Sequence, residues 1–514
     1  MARVIMIQGT ASHVGKSIIT SALCRIFYRD GWKVAPFKGQ NMALNSFVTI
    51  DGREMGRAQV IQAHACGISP DCEMNPILLK SMSDTGSQVI VNGRVKGNMD
   101  VKEYHAFGNE ALKIIESSYK RLSGRYELIV IEGAGSPAEI NLRENDIVNM
   151  RVAEMADAPV ILVGDIDKGG VFASLVGTLE LLLPHERKRI KGFIINKFRG
   201  DISILQKGID YLEERTGIPV LGVIPYLKDI FLEEEDGMVL ERDDAKRVMA
   251  CKERIKIVVI HLPHISNFTD FDPFRFEPDV ELRYVKDRER DLDADIIIIP
   301  GSKNSISDLS YLYDSGIDKY IKEAYKSGKI IVGICGGYQM LGMKISDSHG
   351  VEGRREDIKG LGLLPCETIL ERDKVTSQIK ALPLIFEEWR EEEYVSGYEI
   401  HIGRTKFRDR DRVRDGIIPA FKIAERSGSV SNILDGVISK DRRIMGTYIH
   451  GLFENDRFRH LFLNDIRTKK GLFLNKEKEP IYSYSQKRIE YIDRLADAVR
   501  DNIDMKMVYA MLSP

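Results

Sequence analysis

Two doubly wound α/β domains in tandem are what this 514-residue chain predicts. Short β-branched runs alternate with helical stretches through both halves. Each run in the first half has Gly, Asn or Pro within two residues of its end, where open parallel sheets carry their ligands. Between the halves lies a charge-rich interval, Phe231 to Arg254, containing Glu233-Glu234-Glu235-Asp236. Charge runs of that kind read as solvated connections.

In the first half the expected strands are Val4–Ile7, Val34–Phe37, Leu128–Ile131, Val160–Val163, Gly192–Ile195 and Val220–Ile224. In the second they are Ile257–Ile260, Ile296–Ile299, Ile330–Ile334 and Ile444–Ile449. The stretches Glu387–Glu393 and Lys406–Asp415 read as exposed turns or an insertion. From Arg467 onward the pattern is polar and amphipathic, as for helices covering the second domain. The division expected is residues 1–235, 252–460 and a helical tail over 461–514.

Composition narrows the function. Seventy-five basic residues against 77 acidic ones leave a net charge of −2, which gives no support to nucleic-acid or membrane-surface binding. The six cysteines form no Cys-x-x-Cys pair, so neither a zinc site nor a disulfide framework is indicated. No apolar run approaches the ~20 residues of a membrane helix, and the N-terminus lacks a signal-peptide pattern. A reducing cytoplasm is the expected location.

Gly9-Thr10-Ala11-Ser12-His13-Val14-Gly15-Lys16-Ser17 follows the first strand and opens an apolar helix, the setting of a phosphate-binding loop. Backbone N–H groups of such a loop cradle phosphates, Lys16 reaches the outer ones, and Ser17 supplies a hydroxyl for Mg²⁺. The strict pattern wants glycine at position 10, where Thr10 stands, so the loop from Gly9 is one residue longer than standard. Gly9, Thr10, Ser12, Gly15, Lys16 and Ser17 are therefore the expected nucleotide contacts. Asn196, at a strand end, invites a base-reading role, although Arg199 breaks the guanine-reading Asn-Lys-x-Asp pattern. Mg²⁺ also needs carboxylates near the strand ends. Glu132 closes an apolar strand before Gly133-Ala134-Gly135, and Glu54 and Asp51 are weaker candidates. Asp165 and Asp167 read as switch residues or a helix cap.

Gly333-Ile334-Cys335-Gly336-Gly337-Tyr338-Gln339 has the form of a nucleophile elbow, a cysteine between small residues where a strand turns into a helix. An unperturbed thiol is only about 3 % thiolate at pH 7, so the helix N-terminus behind the sulfur matters. The thiol requires a base, and His450, closing the strand from Gly446 to Ile449, is better placed than His401. Oxyanion donors are expected from the backbone at Gly336 and at Gly301, in the loop after Ile296–Ile299.

With both motifs in place, the chain resembles the cobyric acid synthase family, glutamine-hydrolysing amidotransferases of cobalamin biosynthesis. The resemblance rests on Lys38 to Ser46, Glu54 to Gln59, Glu132 to Leu142, Gly164 to Phe172, Gly397 to Thr405 and Tyr448 to Phe453. It implies a dethiobiotin-synthetase-like P-loop domain followed by a class I glutamine amidotransferase-like domain. It implies ATP, Mg²⁺, glutamine and an adenosylated corrinoid as the small molecules involved. It also implies amidation of the b, d, e and g carboxylates of adenosylcobyrinic acid a,c-diamide, with Cys335 as nucleophile and His450 as base. A sister enzyme of the cobyrinic acid a,c-diamide synthase type is the alternative. Lys38, Gln40, Asn41, Asn45, Arg57 and Gln59 offer polar groups to such a substrate, and Asp146 is either a substrate contact or a helix N-cap. Many class I glutaminases carry a glutamate two residues after the histidine. Leu452 holds that slot here, which leaves Glu454 and Glu399 as candidates for the residue orienting the imidazole.

If Cys335 is the nucleophile, Cys335→Ser abolishes glutamine-dependent ammonia release, measured by a coupled ammonia assay.

Overall fold

The computed structural model describes residues 2–82, 86–143, 146–227, 254–286, 293–353, 356–407, 416–472 and 483–513. The expected connection over 231–253 and the 408–415 part of the second expected insertion lie outside them, as does Cys251. The chain forms two compact units.

At the centre of the first unit is a six-stranded, wholly parallel sheet. In chain order its strands are β1 (Arg3–Gly9), β2 (Val34–Phe37), β3 (Leu128–Glu132), β4 (Val160–Asp165), β5 (Ile190–Phe198) and β6 (Val220–Pro225). They run side by side in the order β6-β5-β4-β1-β3-β2. Parallel sheets are covered on both faces, so their strands are apolar throughout rather than alternating. Every residue of β3 is buried, as is every residue of β4. Helices α1 (Lys16–Arg29) and α2 (Arg57–Ala65) follow β1 and β2. A smaller four-stranded sheet, Gln40–Met42 with Ile77–Ser81, Gly86–Val91 and Arg94–Asp100, extends this unit.

The second unit also has a parallel core. Strands β7 (Ile255–Ile260), β8 (Val280–Val285), β9 (Ile296–Ile299), β10 (Ile330–Ile334) and β12 (Ile444–Thr447) lie in the order β8-β7-β9-β10-β12. The expected strands in both units are strands here. Antiparallel strands continue the second sheet beyond β12, among them β11 (Val395–Phe407), which pairs with Cys366–Pro383. Helices α3 (Ser305–Asp314) and α4 (Gly336–Leu341) follow β9 and β10, and α5 (Asp456–Lys469) comes after β12.

Two boundaries differ from the expected division. Residues 44–54 belong to the second unit, although they lie among first-unit residues in the sequence. There Ser46 O accepts from Tyr398 Oη (3.1 Å) and Gly52 O from Thr376 Oγ1 (2.9 Å). The tail expected over 461–514 on the second domain also divides. Helix α5 stays with the second unit, while residues from 486, in helices α6 (Tyr484–Arg500) and α7 (Met505–Met511), join the first. Ile492, Leu495, Ala496 and Val499 form one apolar stripe at helical spacing, and it is buried in the same core as Ile19, Leu23, Ile26 and Phe27 of α1. Arg25 forms a two-pronged ion pair with Asp493 at 2.8 and 2.9 Å, which sets the register of that packing.

Because Leu495 is completely buried, Leu495→Ala leaves a cavity in the first unit's core. A loss of about 2–5 kcal/mol is expected, read from urea denaturation of the full chain.

Candidate active site

In the second unit, β10 ends at Ile334 and α4 begins at Gly336, so Cys335 occupies the turn between them. Its backbone has φ 51° and ψ −107°, outside the ordinary regions for a residue with a side chain, at a cost of about 1–3 kcal/mol. The surroundings enforce it: Cys335 N donates to Thr447 O (2.8 Å), and Cys335 O accepts from Gln339 N (3.1 Å). The turn delivers the sulfur to the C-terminal edge of the sheet, 3.6 Å from Ile400 O.

His450 lies just past β12, the strand paired with β10, and is 1 % exposed. Mutual backbone hydrogen bonds with Tyr398 hold it (2.9 and 3.1 Å), and its ring stacks on the Tyr398 ring. On one side Cys335 acts on the ring electrostatically. On the other, Nδ1 lies 2.6 Å from Asp270 Oδ2, and Asp270 Oδ1 accepts from Gly451 N (2.9 Å). Burial alone disfavours a charged imidazole. The Asp270 carboxylate and Cys335 outweigh it and raise the His450 pKa from 6.5 to about 10. The arrangement sets His450 between Cys335 and Asp270, and the Asp270 carboxylate favours the protonated ring.

Asp270 is the residue that sequence reasoning missed. Glu399 is instead paired with Arg426 (2.8 Å) and lies 3.7 Å from His401 Nε2. His401, the rival base, stacks on Tyr448 with ring centroids 3.9 Å apart and directs Nδ1 at Gly403 O (2.8 Å). Asp435 accepts from Thr447 Oγ1 and Tyr448 N, steadying the backbone between the two site residues. Burial, then the nearby Glu399 charge, pushes its carboxyl up to about 7.

The two expected oxyanion positions border the same site. A methyl group at Gly301 would lie 3.1 Å from the His450 ring, and one at Gly336 would lie 2.8 Å from Ser302 N. Gln339 is buried beside them, accepting from Ser305 Oγ (2.8 Å) and donating to Tyr448 Oη (3.4 Å).

In the first unit the loop from Gly9 to Gly15 joins β1 to α1. Gly15 has φ 102°, and a methyl group there would lie 2.1 Å from Asn196 Nδ2. Asn196 Nδ2 donates to Val14 O (2.9 Å) and Lys197 Nζ to His13 O (2.7 Å), so the end of β5 grips the loop backbone. Lys197 is paired in turn with Asp165. Lys16 Nζ spans the loop mouth, donating to Ala11 O (2.8 Å) and Gly135 O (2.9 Å). Ser17 Oγ donates to Glu132 Oε1 (2.8 Å), so the hydroxyl and carboxylate expected to hold Mg²⁺ do lie together. Lys38 Nζ approaches the same oxygen at 3.0 Å. Burial raises the Glu132 pKa, but Lys38, Ser17 and Gln62 outweigh it and hold the carboxylate below its ordinary value.

The remaining expected residues are scattered. Glu54 belongs to the second unit, where it pairs with Lys374. Among the described residues no group of three or more His, Cys, Asp and Glu side chains is arranged to hold a metal. Asn45, also in the second unit, accepts from Phe268 N (3.0 Å). Asn41 donates to Gln59 (2.9 Å), Gln40 accepts from Tyr104, and Arg57 is buried at the start of α2. Asp146 accepts from Val148 N (2.9 Å) and Asn149 N (2.8 Å) in the turn before the helix Met150–Met155, whose N-cap is Asn149. No described helix is long and apolar enough to cross a membrane.

Comparison with known proteins follows the same division. Residues 5–240 match the CobQ/CobB/MinD/ParA nucleotide binding domain family, and residues 256–458 match the CobB/CobQ-like glutamine amidotransferase domain family. A cobyric acid synthase of Clostridium botulinum (strain Loch Maree / Type A3) is 51% identical over 508 residues, 99% of each chain. One from Thermoanaerobacter sp. (strain X514) is 51% identical over 517 residues, 100% of this chain and 99% of its own. One from Caldanaerobacter subterraneus subsp. tengcongensis is 49% identical over the same span and shares.

The raised His450 pKa gives stability a definite pH dependence. A charge held up to about pH 10 in the fold, against about 6.5 in the unfolded chain, stabilises fully below 6.5 and is lost as pH rises through 10. The Tm gap between the wild type and His450→Gln should therefore narrow as pH rises across that window, measured by differential scanning calorimetry.

Proposed function

The chain belongs to the cobyric acid synthase family, glutamine-dependent amidotransferases of cobalamin synthesis, and from that premise we propose how its residues divide the reaction. The carrying observation is His450, set between Asp270 and Cys335.

The Cys335 sulfur attacks the side-chain amide carbon of glutamine. His450 gives its proton to the departing nitrogen, so ammonia leaves and a thioester remains. His450 then takes a proton from water, the hydroxide attacks the thioester, and glutamate and the sulfur are released. Asp270 orients the ring and stabilises its charged form. Backbone N–H groups around Gly301, Ser302 and Gly336 stabilise the oxyanion.

Amide synthesis belongs to the first unit. A carboxylate reacts poorly with ammonia, because its carbonyl carbon is a weak electrophile. Attack of a substrate carboxylate oxygen on the γ-phosphorus of ATP gives an acyl phosphate and releases ADP. Ammonia then displaces phosphate from the acyl carbon. The loop from Gly9 to Ser17 cradles the triphosphate, and Lys16 stabilises the transferring phosphoryl group. Ser17 and Glu132 supply hard oxygen donors of the kind Mg²⁺ takes, and the ion would neutralise phosphate charge there. The proposed substrate is adenosylcobyrinic acid a,c-diamide, amidated at its b, d, e and g carboxylates. A soluble enzyme of the cytoplasm fits this chemistry.

The test separates the two halves of the reaction. In His450→Gln and Asp270→Asn, glutamine-dependent amidation should fall by about two to four orders of magnitude, while amidation fed by ammonium chloride persists. Equal loss with both nitrogen sources would refute the assignment. Supplying cobyrinic acid and its a,c-diamide separately, with products read by mass spectrometry, should show amidation of the diamide. Turnover of cobyrinic acid alone would overturn the substrate.

A further inference from the structure

Gln62, on α2, has a fully buried side chain. Its Nε2 donates to Glu132 Oε2, while Ser17 Oγ and Lys38 Nζ share Glu132 Oε1. The other end of the amide, Gln62 Oε1, is buried and has no hydrogen-bond partner among the described residues. An unpaired buried oxygen is unfavourable, and an apolar side chain of the same size would avoid it. The bond to Glu132 is therefore the feature of this side chain that packing does not explain.

The two Glu132 oxygens are unlike. Oε1 faces an ammonium and a hydroxyl, and Oε2 faces a neutral amide. A divalent cation arriving at Ser17 and Glu132 repels the Lys38 ammonium, so Lys38 must yield its place on Oε1. Gln62 carries no charge and grips the other oxygen, so this exchange does not displace it. We infer that Gln62 is a positioning residue that fixes the Glu132 carboxylate while its other oxygen changes partner from Lys38 to a divalent cation. The inference rests on the reading of Ser17 and Glu132 as the cation-holding pair. Glutamine suits the position because it donates without adding charge. A lysine would compete with the cation, a glutamate would oppose Glu132, and a leucine would leave the carboxylate free to turn.

The experiment uses the full chain with ATP and reads free Mn²⁺ by electron paramagnetic resonance, alongside thermal melts. Gln62→Met keeps the volume and removes the donor, and about ten- to hundredfold weaker Mn²⁺ binding is expected. Gln62→Glu sets two carboxylates against each other, so Mn²⁺ should raise its Tm more than it raises that of the wild type. This second variant carries the test if Gln62→Met does not fold. Wild-type Mn²⁺ affinity in Gln62→Met, with affinity lost in Glu132→Gln, overturns the role of Gln62 and leaves the cation reading standing. Unchanged affinity in Glu132→Gln overturns both. An equal or smaller Mn²⁺-induced rise in the Gln62→Glu melt also overturns the role of Gln62.

Discussion

The 2.6 Å hydrogen bond between Asp270 and His450 sets the conditions that the rest of the second unit must meet. A charged imidazole at 1 % exposure is unfavourable unless an anion is fixed beside it. That anion must come from a segment 180 residues away in the chain. The aromatic run Phe268–Phe276 is anchored to do this. Phe274 meets Phe453 with ring centroids 4.6 Å apart, and Phe453 in turn meets Phe458 of α5. Arg459 and Arg467 of α5 are buried and grip Glu277 and Asp279, with contacts of 2.7–2.8 Å, at the end of the same segment. A buried ion pair adds little net stability, but breaking one partner is severe. The two arginines therefore act as fixed pins rather than as a reservoir of folding energy.

The first unit solves a parallel problem with opposite signs. Its buried charge is the Glu132 carboxylate, 1 % exposed, and its partners are donors: Ser17, Lys38 and Gln62. Glu132 closes an interior strand of a parallel sheet and His450 lies just past one, where the adjoining loop is irregular. Parallel sheets concentrate chemistry at that edge because strand ends meet turns and helix N-termini there.

What was legible in the sequence follows the range of the interactions. The β-branched runs announced the strands because burial on both faces leaves a continuous apolar signature, as in Leu128–Ile131 and Ile296–Ile299. Cys335 and the Gly9–Ser17 loop were legible because a sharp turn needs small residues at fixed offsets. Asp270 was not, because an aspartate in an aromatic segment carries no local mark of the histidine it serves. The nearest available cue was the unusual pairing of acidic and aromatic residues in Phe268-Thr269-Asp270-Phe271-Asp272. The unit to which Glu54 and Asn45 belong was not legible for a related reason. Their neighbours in sequence belong to the first unit, whereas hydrogen bonds such as Thr376 to Gly52 bind residues 44–54 into the second. Asn196 lies near the end of β5, and its amide donates to the Val14 carbonyl.

The stripe of Ile492, Leu495, Ala496 and Val499 against α1 bears on how the polypeptide is made. The core begun by the first strand closes only with residues from the last helices, more than 460 positions later, as the Arg25–Asp493 pair marks. A growing chain on the ribosome thus holds its P-loop sheet with one apolar flank uncovered until residues 492–499 have been made. The second unit, whose residues lie between the two ends, has by then emerged. Domains that fold as units during synthesis usually do so N-terminus first. Here the first unit is completed after the second, and a chain lacking residues 492–499 lacks the cover for α1.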